Sequence, residues 1–236
     1  MFRIKIIISL VLLFFVSQAL AHVEDFSGPF AGTVIAGEEP GGGTAAGDAF
    51  PHFIVSGTNT GGGPHSIIVF DSANPTGGDF DLGTPNETCG GPGVGAGGEV
   101  GQPGENCVAR ENLLIIAENI NDSDGDGLVD NSDDEAGGGV IRFDFDIVVD
   151  LEHLVIIDID AETLDFSMNG PDGFVGAGSG GDVGNNSCQV IDLSEFRGVT
   201  SLEIVFSSSG GVAELAFHES EVSTEDINWR QLKARY

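Results

Sequence analysis

The chain has 236 residues, with 38 acidic and only 8 basic side chains and a formal net charge of −30. A field of that sign repels nucleic acid and anionic membrane surfaces, which excludes both as partners. It also opposes compaction unless salt or bound cations offset the repulsion.

Residues 1–21 read as a secretory leader. Arg3 and Lys5 give a basic start, 6–16 form an apolar run, and Ala19, Leu20 and Ala21 make a small-residue cleavage site. The run is shorter than the ~20 residues of a membrane span and no second run approaches that length, so no membrane insertion is expected after cleavage. Residues 22–236 are expected as one exported all-β domain, long enough to bury a sizeable core.

Short strands are expected around 33–35, 50–55 (with Pro51 at an edge or strand start) and 66–70. The stretches 41–47, 56–64 and 83–105 are rich in turn residues and read as loops. A compact apolar run at 112–118 is a strand. In 140–149, Ile141, Phe143, Phe145 and Ile147 alternate with Arg142, Asp144 and Asp146, the clearest period-two signal in the chain. Further strands are expected at 154–160, 163–168, 188–193, 202–206 and 212–217, with 170–186 as turns and a last strand at 227–229. About nine to twelve strands without an amphipathic helix predict an all-β, two-sheet antiparallel β-sandwich of jelly-roll-like form.

Three cysteines suit an oxidising compartment. Cys89 and Cys107 bracket one glycine-rich loop and are the natural pair, worth about 3 kcal/mol in the chain-entropy model. Other pairings stay open, and Cys188, the one left over, reads as a buried thiol.

The most specific motif is 122–133. Asp122, Asp124, Asp126, Asp130 and Asp133 occupy the first, third, fifth, ninth and twelfth places of a twelve-residue loop, with Gly127 at the sixth. This is the ligand order of an EF-hand-like or thrombospondin-type-3-like calcium loop, with Asp in place of Glu at its end. Calcium takes six to eight oxygens, and the carbonyl of Leu128 would supply the one at the seventh place. Without a cation, carboxylates roughly 5 Å apart repel by about 1 kcal/mol per pair even in water. The competing reading is a solvated acidic linker.

Asp71, Asp79 and Asp81 follow a buried-type strand. Together with Asp158 or Asp160 from a neighbouring strand end they form either a second oxygen-rich cation site or a set of Asx-turn caps. Gly93, Gly95 and Gly98 match G-x-G-x-x-G, but no helix follows them to make a nucleotide site. Ala177 to Gly181 comes close to a nucleophile elbow within a flexible turn. The histidines at 22, 52, 65, 153 and 218 show no close metal-ligand spacing.

Several segments resemble a family of secreted bacterial β-sandwich proteins that often carry exosortase (PEP-CTERM-type) sorting tails. They are 70–85, 112–118, 133–143, 157–160 and the serine–glycine turn before 212–217. The resemblance implies an extracellular or surface domain with no established enzymatic activity. No Pro-Glu-Pro motif, apolar span or basic stop follows Trp229 here, so free secretion is expected. The expected function is a calcium-binding, non-enzymatic module of the extracellular matrix or cell surface, with a polysaccharide as candidate partner. The alternative is an extracellular polysaccharide hydrolase using an Asp/Glu pair.

Overall fold

A computed structural model of the chain describes residues 21–160 and 163–221. The expected leader, apart from Ala21, and the expected strand at 227–229 lie outside the described residues. The strands in chain order are β1 (His22–Glu24), β2 (Val34–Glu38), β3 (Thr44–Ala46), β4 (Phe53–Asn59), β5 (Ile67–Asp71) and β6 (Asn112–Ile116). They continue as β7 (Gly139–Ile157), β8 (Leu164–Gly170), β9 (Gly173–Gly180), β10 (Cys188–Asp192), β11 (Val199–Phe206) and β12 (Gly211–Glu219). The helical turns among the described residues are three short 3-10 segments at Phe80–Leu82, Glu87–Cys89 and Ala96–Gly98. The all-β, antiparallel class is as expected.

The long strand β7 organises the ladders. Its first part pairs with β4 on one side and β11 on the other, and β11 leads on to β8 and β9. Its second part pairs with β10 and with β12, which continues through β6, β5 and β2 to β3 and also receives β1. Hydrogen bonding therefore links all twelve strands, and the ladders do not themselves divide into two separate sheets. A 19-residue strand, roughly 60 Å long at about 3.3 Å per residue, is long enough to serve both halves.

The sequence reading ends one strand near Val149 and starts another near Leu154; in the structure they are one. Asp150, buried midway, does not break it because its carboxylate accepts hydrogen bonds from Arg197 Nη1 (2.9 Å), Gly198 N (2.9 Å) and Ser220 Oγ (2.7 Å). Burial alone would raise its pKa, but these donors outweigh burial and hold the carboxyl below its usual range.

The main apolar cluster draws on both halves. Phe53, Phe143 and Phe145 meet Leu154, Leu215 and Phe217, with the Phe145 and Phe217 ring centroids 5.1 Å apart. A second cluster lies on the other face of β5, β6 and β12, where Ile68, Phe70, Leu113 and Ile115 are covered by Leu82 and Val129 from the loops. Burial on both faces explains why β5 and β6 read as unbroken apolar runs. It also makes Val129 the apolar anchor of the acidic loop, and Val129 N donates to Gly32 O at 2.8 Å.

Two predicted loops contain whole strands, β3 inside 41–47 and β9 inside 170–186, and β4 runs on to Asn59, into the predicted loop 56–64. In β9 the glycines make room for aromatic rings: Gly178 lies directly opposite Phe166. A Cβ at 178 would stand 2.5 Å from the Phe166 ring, and one at 176 would stand 2.4 Å from Phe196. A disulfide joins Cys89 to Cys107 across the glycine-rich loop, with their Cα atoms 5.3 Å apart, and Cys188 is free.

Candidate metal centre

The acidic loop spans the gap between β6 and β7, and its ends are tied down by main-chain bonds. Asp130 N donates to Asn121 O (2.7 Å), Glu118 N to Asp133 O (3.0 Å) and Glu135 N to Ile116 O (2.9 Å). Between these anchors the chain curls around its own carboxylates. Asp122 Oδ1 accepts from Gly125 N (2.7 Å) and Oδ2 from Gly127 N (3.0 Å), while Asp130 Oδ2 accepts from Ser123 N (2.7 Å). Gly125 and Gly127 adopt φ of 78° and 88°, the left-handed conformation that such a curl demands. Oxygens of Asp122, Asp124 and Asp130 come within 4.8 Å of one another. Asp126 caps Leu128 N at 2.8 Å, and Leu128 is half-buried.

Asp133, expected to close this loop, groups instead with Asp79 and Asp134, again with oxygens within 4.8 Å. The cause is local. The bridge between Ala117 and Asp134 holds this part of the chain against the end of β6. Asp134 N donates to Asp79 Oδ2 at 2.8 Å, and Asp134 Oδ2 accepts from Gly210 N at 2.6 Å. Asp158 lies next in this acidic row, 1 % exposed, with its Oδ1 accepting from Asn186 N at 2.7 Å.

Burial, then the charge of Asp134, push Asp79 up to about 9. Burial pushes Asp134 up to about 7 against the Gly210 hydrogen bond, with Asp158, Asp81 and Asp133 adding to the rise. Asp158 also rises to about 7, from burial and then the charge of Asp81. Asp81 is raised by burial and, further, by Asp160. Among the described residues none of these carboxylates is ion-paired to a basic side chain. Buried acids without a basic partner either hold protons or surround a cation.

Of the residues expected in a second site, Asp79, Asp81, Asp158 and Asp160 are thus brought into one row of mutually repelling acids. Asp71 is not. Its carboxylate accepts from Ala73 N (2.9 Å) and Asn74 Nδ2 (2.9 Å), the Asx-turn arrangement. Asp134 completes the row and is missed by sequence reasoning. The available signal was its position next to Asp133, just before a strand. An open groove of about 340 Å³ runs between the two acidic groups, lined by Asn119, Asn121, Asp122, Asp130, Asn131 and Asp133.

The glycine motif at 93–98 is a packing surface, since a Cβ at Gly95 would collide with Asn185. The segment 177–181 runs through the end of β9 and holds no nucleophile elbow. Protein-family models, curated proteins and solved structures provide no match to this chain.

Proposed function

We propose that the chain is an exported, calcium-stabilised β-domain that acts as a non-enzymatic binding module of the matrix or cell surface, of the exosortase-associated kind that its sequence resembles. The observation that carries this reading is the pairing of two convergent acidic groups, Asp122/Asp124/Asp130 and Asp79/Asp133/Asp134, with no basic partner among the described residues. All-oxygen donor sets suit a hard cation, and calcium tolerates their irregular geometry better than magnesium does. The exposed loop belongs in the weaker extracellular range of roughly 0.1–1 mM. Asn119, Asn121 and Asn131 beside the acids make the groove between the groups polar, which suits a hydroxyl-rich polysaccharide. The hydrolase reading has less support: of the acids with raised pKa values, Asp134 and Asp158 are only 5 % and 1 % exposed, and the half-buried Asp79 and Asp81 do not line the open groove.

Calorimetric titration with calcium at pH 7.5 tests the reading. Wild type should bind in two phases. Asp124→Asn, whose amide oxygen can still cap Asp126 N, should lose the weaker phase alone. Identical isotherms for the two proteins would remove the loop from the account. A glycan array in calcium buffer should give hits that disappear in chelator, and an array blank in both would remove the polysaccharide partner.

A further inference from the structure

His22 and His52 form a nitrogen-rich group that the acidic rows do not use. His22 directly follows Ala19, Leu20 and Ala21, so the expected cleavage would leave it as the first residue of the exported chain. It opens β1 and is held in register opposite Phe217 of β12. His52 immediately precedes β4 and takes a φ of +77°, in the left-handed region that few residues other than glycine occupy. Its main-chain oxygen accepts from Asp146 N at 2.9 Å, which fixes its position against β7.

The two imidazole centroids lie 4.9 Å apart with their planes at 75°. Both rings rest near the buried Phe217 ring, at 5.0 Å and 6.2 Å. His22 Nε2 is buried and has no hydrogen-bond partner among the described residues, its nearest carboxylate oxygen being Glu24 Oε2 at 3.6 Å. Aromatic packing on Phe217 accounts for the ring positions, and with Nε2 lying toward Glu24 it is Nδ1 of His22 that is left to take a ligand.

We propose that, once the leader is removed, the terminal amine and Nδ1 of His22 and one ring nitrogen of His52 bind a single copper(II) ion beside Phe217. The amine and Nδ1 of one histidine are placed by its covalent geometry to chelate the same metal. Glu24 then faces the remaining N–H of that ring, the usual carboxylate support behind a metal-bound imidazole. Two imidazoles bonded side by side to one metal at about 2 Å have centroids roughly 4.5–5 Å apart, which matches the observed spacing. Neutral nitrogen donors favour copper(II) over the other divalent first-row metals. The oxygen-only groups elsewhere favour calcium, so ligand chemistry keeps the two metals apart. The proposal rests on the expected leader and is independent of the calcium reading.

The test uses the full chain exported with its own leader, its first residue read by N-terminal sequencing, and calcium kept in the buffer. Copper(II) titration should give one ion per chain, with an electron paramagnetic resonance spectrum showing coupling to three nitrogens. A chain carrying one extra glycine before His22, and a His52→Ala variant, should each bind at least tenfold more weakly. His65→Ala should bind as wild type does. Unchanged melting temperatures in calcium would show that the variants remain folded. Equal copper affinity in the glycine-extended or His52→Ala chain would overturn the site, as would an exported chain that does not start at His22. Tighter binding of zinc than of copper would overturn the choice of metal.

Discussion

Chelation should lower the melting temperature of the wild-type chain at pH 8 by roughly 5–11 °C relative to 10 mM calcium. An ion bound at about 0.1 mM and supplied at a hundredfold excess stabilises the native state by about 2.7 kcal/mol. For a domain of this size each 1 kcal/mol is worth about 2–4 °C. The ion should act on the native state alone, because only the fold brings Asp79, far away in sequence, beside Asp133 and Asp134. Filling both groups would move the shift to the upper end of the range or beyond it. Differential scanning calorimetry in calcium and in chelator measures it, and coincident transitions would contradict a structural role for calcium.

Asp134→Asn should have opposite effects in the two buffers. In chelator at pH 8 the wild-type carboxyl is buried beside Asp79, Asp158 and Asp81, and its ionisation opposes folding. The native pKa values of Asp79, Asp134 and Asp158 lie at about 9, 7 and 7, above the ordinary 3.8. Native chains therefore hold more protons than unfolded ones between about pH 4 and pH 9. The stability these groups contribute is present in full below pH 4 and is lost as pH rises through that window. Removing the charge while keeping an oxygen for Gly210 N should raise the melting temperature in chelator at pH 8. The expected rise is roughly 2–8 °C, equivalent to about 1–2 kcal/mol. In calcium the same variant should melt below wild type, because a ligand is gone. Protons and calcium compete for these oxygens, so the gain from calcium should itself grow from pH 5.5 to pH 8. A variant less stable than wild type in both buffers would mean that Asp134 serves only as a hydrogen-bond acceptor.

The sequence made the wet-and-dry alternation of β7 visible, and likewise the double burial of β5 and β6, because side-chain period and burial follow from one another in a strand. β9 is hidden in the sequence, because glycines that leave space for Phe166 and Phe196 look the same as glycines that form turns. The join through Asp150 was hidden too, because its partners Arg197, Gly198 and Ser220 lie far along the chain.

At the candidate site, local spacing revealed Asp122, Asp124 and Asp130, whose convergence is made within one curl. The second row is assembled from the loop after β5, the loop before β7 and the end of β7. Spacing suggested Asp79 and Asp158 from strand-end positions but gave no register for Asp134 and placed Asp133 with the loop. Likewise, no spacing rule places His52 beside His22.

The account turns on cations seated among these carboxylates. A crystal structure of the chain grown in 10 mM calcium, with anomalous data collected at long wavelength, locates such ions directly. The account predicts one peak enclosed by Asp122, Asp124 and Asp130 and a second enclosed by Asp79, Asp133 and Asp134. A well-ordered map with no anomalous peak at either place would contradict it.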